Sequence, residues 1–471
     1  MDHLETPAVH RLLASPVGGL FDTRPFEELK TRALRREFAV QRARAAADVA
    51  LGSPPREYLR AVDAPPAPHL HDRIEAALAR YAPRRAAALE ATERWEDVLW
   101  DPSSTVEERL DAERERRRAE HRRRDAADCF GGLVDAHLVP PVAYDVPDPE
   151  AVRSTYRAGL ASPERVYAYP DRPPRVERSD WVPGPETVEY WLRFPSPSPY
   201  VADDAVARVY EPADAGDDVP TLVYYGGLGM ANDCLDYWPE EAYLGRALAP
   251  AGVRVVLPDA PWHGRREPRG RFSGEAYLAR APESMFQLYA TAAVEAGVFV
   301  DWAHAEGSAV ALGGISLGGI VTMHVAGRCD PWPTTTHPDA LVPVAATGDV
   351  DAVLVEGGLT PRLDLDDALG SAGWYPHLHE LGPLLNPPVS SGVDPDRVFP
   401  VFGTRDDLVP PHTFTATLDA WGVPTGNRTA WKTGHFGVLL RAIRGGLDGV
   451  IEAALAPDTD ASVPGRPAGV R

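Results

Sequence analysis

A chain of 471 residues is long for one domain and comfortable for two, and 44% hydrophobic with 25% charged residues is the composition of a globular protein with a large core. A formal net charge of −21 argues against a general nucleic-acid binder and against a protein held on anionic membranes. Three widely spaced cysteines, Cys129, Cys234 and Cys329, form no C-x-x-C or Cys/His cluster, so neither a zinc site nor a disulfide framework is indicated.

The N-terminal Met1-Asp2-His3-Leu4-Glu5-Thr6-Pro7 is acidic and lacks a signal-peptide apolar run, and no apolar stretch is long enough to span a bilayer. The expectation is a cytoplasmic protein without stable membrane insertion. Residues from Phe26 to Ala50 contain neither Gly nor Pro and predict a helix. A second helix is predicted from His71 to Trp100, with Ile74, Ala77, Leu78 and Tyr81 at helical spacing and a break near Pro83. Ser104 with Glu107, or Thr105 with Glu108, offers a capping box for a third. That helix carries Arg114-Glu115-Arg116-Arg117-Arg118-Ala119-Glu120-His121-Arg122-Arg123-Arg124-Asp125. Its mixed signs predict a solvated face with internal ion pairs rather than a nucleic-acid patch. Residues 1–140 thus form a helical region, a cap or dimerisation element. Residues 141–184, rich in proline, read as an extended connector.

From residue 185 the texture changes. Thr187–Phe194 and Ala205–Tyr210 alternate like an antiparallel pair, and Thr221–Tyr225 is a buried strand ending in Gly226-Gly227-Leu228-Gly229. A helix over Glu240–Ala249, a strand at Arg254–Pro258 and a helix over Ser284–Glu306 follow. Later strands are predicted at Val353–Glu356, Arg397–Phe402 and Asn427–Trp431, and a last helix at Val438–Leu455. The alternation predicts an α/β fold with a mainly parallel central sheet, flanking helices and the N-terminal helical region. The tail at 457–471 is small, polar and proline-containing, the composition of a disordered end.

Within this frame Val310-Ala311-Leu312-Gly313-Gly314-Ile315-Ser316-Leu317-Gly318-Gly319 reads as a buried strand, a glycine-flanked turn with one serine at its tip, and a helix start. Gly314-Ile315-Ser316-Leu317-Gly318 fits the G-x-S-x-G nucleophile elbow. A serine hydroxyl needs a base, and the base needs an orienting acid. Gly403-Thr404-Arg405-Asp406-Asp407-Leu408-Val409-Pro410 follows one later strand, and Lys432-Thr433-Gly434-His435-Phe436-Gly437 follows the next. Ser316, Asp406 (with Asp407 as the alternative acid) and His435 therefore occur in the order Ser, Asp, His.

These residues resemble the α/β-hydrolase superfamily over 185–456. Asp406 sits in a loop like its G-x-x-D-x-x-V-P, and Tyr225-Gly226-Gly227-Leu228-Gly229 is similar to its H-G-G-x-G with tyrosine in the histidine place. Pro258-Asp259-Ala260-Pro261-Trp262-His263-Gly264-Arg265-Arg266 resembles its D-x-P-x-H-G-x-R turn, which we read as structural, with Asp259 and Arg265 or Arg266 pinning the loop. The resemblance implies a serine hydrolase of carboxylic esters working through an acyl-enzyme, with a small-molecule acyl substrate and no metal or cofactor. Peptide, thioester or carbon–carbon bond cleavage, or a non-catalytic relative, are the alternatives. The oxyanion donors it implies are the N–H of Leu317 and that of Gly227 or Leu228. Residues 357–393 form either a lid or an ordinary helical excursion. Trp374 in that segment, with Tyr237 and Trp238 after the glycine loop, are the expected substrate-binding residues. His263 and His324 are expected to be structural.

Overall fold

The computed structural model describes residues 7–184, 186–216, 218–230, 238–307 and 309–456. The expected tail and Tyr237 lie outside them. Among the described residues, no helix is long and apolar enough to cross a membrane.

The strands are β1 (Glu177–Arg178), β2 (Val182–Pro183), β3 (Thr187–Pro195), β4 (Asp204–Pro212), β5 (Thr221–Tyr225), β6 (Arg254–Pro258), β7 (Val310–Ile315), β8 (Ala340–Val344), β9 (Val401–Gly403) and β10 (Thr429–Trp431). They form one sheet in the order β1-β3-β4-β6-β5-β7-β8-β9-β10, with β2 also on β3. Pairing is antiparallel from β1 to β6 and parallel from β6 to β10. The buried strands alternate between two faces. Val223, Tyr225, Leu312 and Leu341 pack with the helices Glu283–Glu306 and Leu317–Arg328. Leu222, Tyr224, Ala311 and Val342 pack with Leu244, Leu248 and the C-terminal helices. Both faces being covered, the central strands are mainly apolar, with Thr221 and Arg254 at the starts of β5 and β6 the buried polar exceptions.

Two expected strands differ. Val353–Glu356 belongs to a helix, Val350–Glu356, whose N-cap Asp349 side chain accepts the Ala352 N–H at 3.1 Å. The strand beside β7 is instead Ala340–Val344, which Pro343 disguised. The expected 397–402 strand is shortened because Pro395–Arg397 is a 3-10 turn, although Phe399 N–H still donates to the Leu341 carbonyl at 2.8 Å. Glu241–Gly245 opens its helix as a π turn. The last helix is divided into His435–Arg441 and Asp448–Leu455, because Gly445 between them takes φ +79°. The 141–184 connector is not uniformly extended: it contains the helices Pro149–Thr155, Arg157–Ala161 and Pro163–Val166.

In the N-terminal region the long helices are Arg24–Ala50, His71–Trp100 and Val106–Asp125, the last opened by the Thr105–Glu108 capping box. Pro83 does not break the second helix. An interior proline costs about 3 kcal/mol, and the third helix folding back on the second, with Ala88 and Ala91 against Ala119 and Trp95 against Leu110, outweighs it. The arginine-rich helix is not a solvated face. Arg109, Glu113, Arg116 and Arg117 are buried against the sheet. Arg208 of β4 donates to Glu113 at 2.6 Å and pairs with Glu189 of β3, while Arg117 pairs with Glu241, which also accepts the Tyr210 hydroxyl at 2.6 Å. The alternating signs serve a buried network joining the helical region to the sheet edge.

Candidate active site

The parallel strands set the site. Because β5 and β7 are neighbours with Tyr225 opposite Gly314, the turns that follow them meet. Ser316 sits between β7 and its helix at φ +55°, ψ −114°, a conformation costing about 1–3 kcal/mol that persists only when the surroundings enforce it. They do. The Ser316 N–H donates to the Val344 carbonyl at 2.8 Å. A Cβ at Gly314 would lie 2.4 Å from the Gly318 carbonyl, and one at Gly318 would lie 2.0 Å from the Tyr225 carbonyl. Gly318→Ala is expected to destabilise the fold by about 3 kcal/mol or more, since backbone rather than a flexible side chain must move. It also separates the β5 loop from the serine. A lowered denaturant midpoint together with slowed covalent labelling at Ser316 checks this.

β9 and β10 lie beyond β8 on the same side, and the loops at their ends converge on the serine. His435 Nε2 lies 3.1 Å from Ser316 Oγ, and His435 Nδ1 lies 2.6 Å from Asp406 Oδ2. The second oxygen of Asp406 accepts the Leu408 and Val409 N–H groups at 3.0 and 2.9 Å, which fixes the carboxylate plane. A carboxylate can only accept, so Nδ1 carries the ring proton and Nε2 faces the serine hydroxyl as acceptor. Burial disfavours the imidazolium, but Asp406 and Glu27 outweigh it and hold the His435 pKa above 6.5. Asp407 is exposed and its side chain caps nothing; the helix that follows starts at Pro411 with no side-chain cap.

The glycine loop borders the serine. A Cβ at Gly227 would lie 3.6 Å from Ser316 Cβ and 3.2 Å from Met230 Sδ, and the Gly227 N–H donates to that sulfur at 3.3 Å. Leu317 starts the helix that follows the serine. Tyr225 points away, buried in the core with its hydroxyl toward the Ala292 carbonyl at 3.4 Å. Behind the loop, Glu240 Oε2 would lie 2.9 Å from a Cβ at Gly226, and burial pushes its carboxyl up to about 8. Of the expected pocket residues, Trp238 is half-buried and packs on the second core face. Trp374 is fully buried, its indole N–H on the Pro147 carbonyl at 2.7 Å. Leu363, Leu369, Leu378 and Leu384 join the same core, so these apolar side chains of 357–393 pack on the sheet flank, while Tyr375 and Val389 are exposed.

Residues 202–369 match the family described as alpha/beta hydrolase domain containing 18. The chain has the α/β-hydrolase fold. It is 31% identical over 143 residues to the esterase YjfP of Escherichia coli K12, an alignment covering 27% of this chain and 50% of that protein. The chain thus spans about half the length of that curated relative. Among solved structures it is similar to the acetyl xylan esterase from Paenibacillus sp. R4, at TM-score 0.40 and 15% identity over 63% of this chain and 91% of that one. It is also similar to a Pyrobaculum calidifontis esterase, at TM-score 0.37 and 18% identity over 66% and 94%.

The turn at residues 258–266 is held by ion pairs and hydrogen bonds. Asp259 Oδ2 accepts the Arg265 N–H at 3.0 Å, and Arg266 bonds Glu295 at 2.7 Å and Asp203 at 2.8 Å. His263 Nδ1 donates to the Pro261 carbonyl at 2.9 Å, and burial pushes its pKa down to about 4, so it stays neutral. His324 is buried between Tyr167 and Tyr289 with Nε2 on the Leu385 carbonyl at 3.1 Å, and burial drives its pKa well down. Sequence reading missed the contribution of the N-terminal segment, where Asp22 and Glu27 reach the histidine loop. No motif marks either residue.

Proposed function

We propose that this α/β-hydrolase cleaves a carboxylic ester of a small molecule through an acyl-enzyme. The observation that carries the reading is the hydrogen-bonded row Ser316 Oγ, His435 Nε2, His435 Nδ1, Asp406 Oδ2, with spacings of 3.1 and 2.6 Å. The likeness to an esterase over a quarter of the chain supports the substrate class.

In the first step Ser316 Oγ attacks the acyl carbon while His435 Nε2 takes the hydroxyl proton, and Asp406 stabilises the imidazolium. The carbonyl oxygen becomes an oxyanion, received by the N–H of Leu317 and that of Gly227, with Leu228 the alternative on the same loop. Met230 Sδ now occupies the Gly227 N–H, and a thioether is a weak acceptor that an oxyanion displaces readily. Collapse expels the alkoxide, which leaves as alcohol with the proton from His435. Water then attacks the acyl-enzyme with His435 as base, the acid departs, and Ser316 recovers its proton.

A fluorophosphonate probe is expected to label the native protein at one site, Ser316, identified by peptide mass. A panel of acyl esters, thioesters and aminoacyl amides is expected to give its highest kcat/KM on esters. Folded protein that resists the probe would overturn the hydrolase reading, and a profile led by amides or thioesters would overturn the ester assignment.

A further inference from the structure

The helix His435–Arg441 begins at the candidate base, and its N-cap, Gly434, has no side chain with which to satisfy the first N–H groups. The partner comes from the other end of the chain. Glu27, in the first turn of the helix Arg24–Ala50, accepts the Phe436 N–H at 3.0 Å through one carboxylate oxygen and the Gly437 N–H at 3.1 Å through the other. The fit leaves no room: a Cβ at Gly434 would lie 2.4 Å from Glu27 Cδ. Asp22 makes a second tie, accepting the Thr433 hydroxyl before the helix and Arg441 Nε at 2.6 Å at its end. Two acidic side chains of the N-terminal segment therefore hold the loop and helix on which His435 stands.

We propose that Glu27 is a positioning residue for His435: it fixes the histidine-bearing turn and stabilises the imidazolium that forms when Ser316 gives up its proton. The proposal rests on the serine-hydrolase reading and deepens it by making the N-terminal helical region part of the catalytic apparatus.

The charged and titratable groups around the ring come from four directions. Asp406 bonds Nδ1 from the β9 loop, and Ser316 faces Nε2 from the β7 turn. Glu27 faces the first turn of the histidine's helix, and Lys30, one turn further along its own helix, lies 5.9 Å from the Phe436 ring. Asp22 and Arg441 form a compensated pair at 2.6 Å. Glu27 is thus the second carboxylate acting on the imidazole. Burial raises its own pKa, opposed by the Phe436 N–H and by His435. A negative group near the ring favours its charged form, so removing that charge lowers the His435 pKa. Because kcat/KM needs the neutral imidazole, its acid limb then moves to lower pH, while kcat on the plateau falls through poorer stabilisation of the imidazolium.

The test compares Glu27→Gln, Glu27→Asp and, as an exposed control on the same helix, Glu28→Gln in the full chain. Fluorophosphonate labelling rate and ester turnover are measured against pH and normalised to titrated active sites, so partial unfolding changes the number of sites and not the limb. Glu27→Gln is expected to shift the acid limb downward and to lower kcat about tenfold. Glu27→Asp is expected to keep the limb close to the native one, and Glu28→Gln to match the native protein in both. An unmoved limb and unchanged kcat in Glu27→Gln would overturn the proposal while native turnover upholds the hydrolase reading. If the native protein neither labels nor turns over ester, the hydrolase reading fails, and the His435 titration followed by nitrogen NMR still decides the coupling: equal midpoints in native and Glu27→Gln protein would overturn it.

Discussion

Replacing Ser316 with alanine is expected to lower ester turnover by about 10⁴- to 10⁶-fold and to abolish fluorophosphonate labelling. The substitution removes the atom proposed to form the covalent bond and leaves the donors proposed for the oxyanion in place, so a small residual rate over water is expected. The fold should survive, because the contact anchoring the turn is the Ser316 main-chain N–H on the Val344 carbonyl at 2.8 Å, and alanine retains it. Alanine also retains the positive φ, so the strain is neither relieved nor increased. Adding His435→Ala should cost little more than the single change, since the two groups act as one unit. A Ser316→Ala protein retaining a tenth of native activity would sink the nucleophile assignment.

Arg208→Met is expected to destabilise the protein by about 3–5 kcal/mol, the effect of leaving a buried charge without its partner. Arg208 lies between Glu113 of the N-terminal region and Glu189 of β3, all three buried. Without it two carboxylates remain near each other in a low-dielectric site, with Arg116 still 3.3 Å from Glu113 and Arg246 3.8 Å from Glu189. Denaturant unfolding measures the loss.

The same network predicts acid sensitivity with a definite sign. Burial alone would raise the Glu113 pKa, but Arg116, Arg208 and Arg117 outweigh it and hold it well below the carboxylate range. At Glu241, burial is likewise outweighed, by Arg117, Arg246 and Arg208, and the value falls to about 2. Groups with depressed folded pKa values contribute stability above their unfolded value, roughly 4.3 for Glu, and lose it as pH falls through the folded value. Acid unfolding of the native protein is therefore expected below roughly pH 4.3. In Arg208→Met the transition should move to higher pH, because Glu113 loses one of the cations that hold its pKa down. An unchanged acid midpoint would contradict this account of the network.

The hydrogen-bonded row of Ser316, His435 and Asp406, the residues proposed to be catalytic, was legible in the linear chain because each stands where a local rule applies. The serine needs glycines two residues to either side for steric reasons, and the other two follow apolar strands in a recognisable order. The β5 glycine loop was legible on the same ground. The strand at Ala340–Val344 was not, since Pro343 argues against a strand and only the open slot beside β7 decides for one. Nor was the helix at Val350–Glu356, where a short β-branched run is outvoted by the Asp349 cap.

The amino-acid sequence by itself determined the α/β frame, the elbow at Ser316 and the order of its partners, because these depend on periodicity and on backbone sterics within a few residues. Tertiary structure alone decided which arginines of the Val106–Asp125 helix are buried, since Glu241, which neutralises Arg117, and Arg208, which joins Arg116 in neutralising Glu113, lie on other elements of the chain. It alone brought Glu27 to the Phe436 N–H beside His435, 409 positions away in the sequence. A carboxylate that satisfies another segment's main-chain N–H groups leaves no periodic or motif signature. Its partners are backbone atoms common to every residue but proline, so only their position in space identifies them.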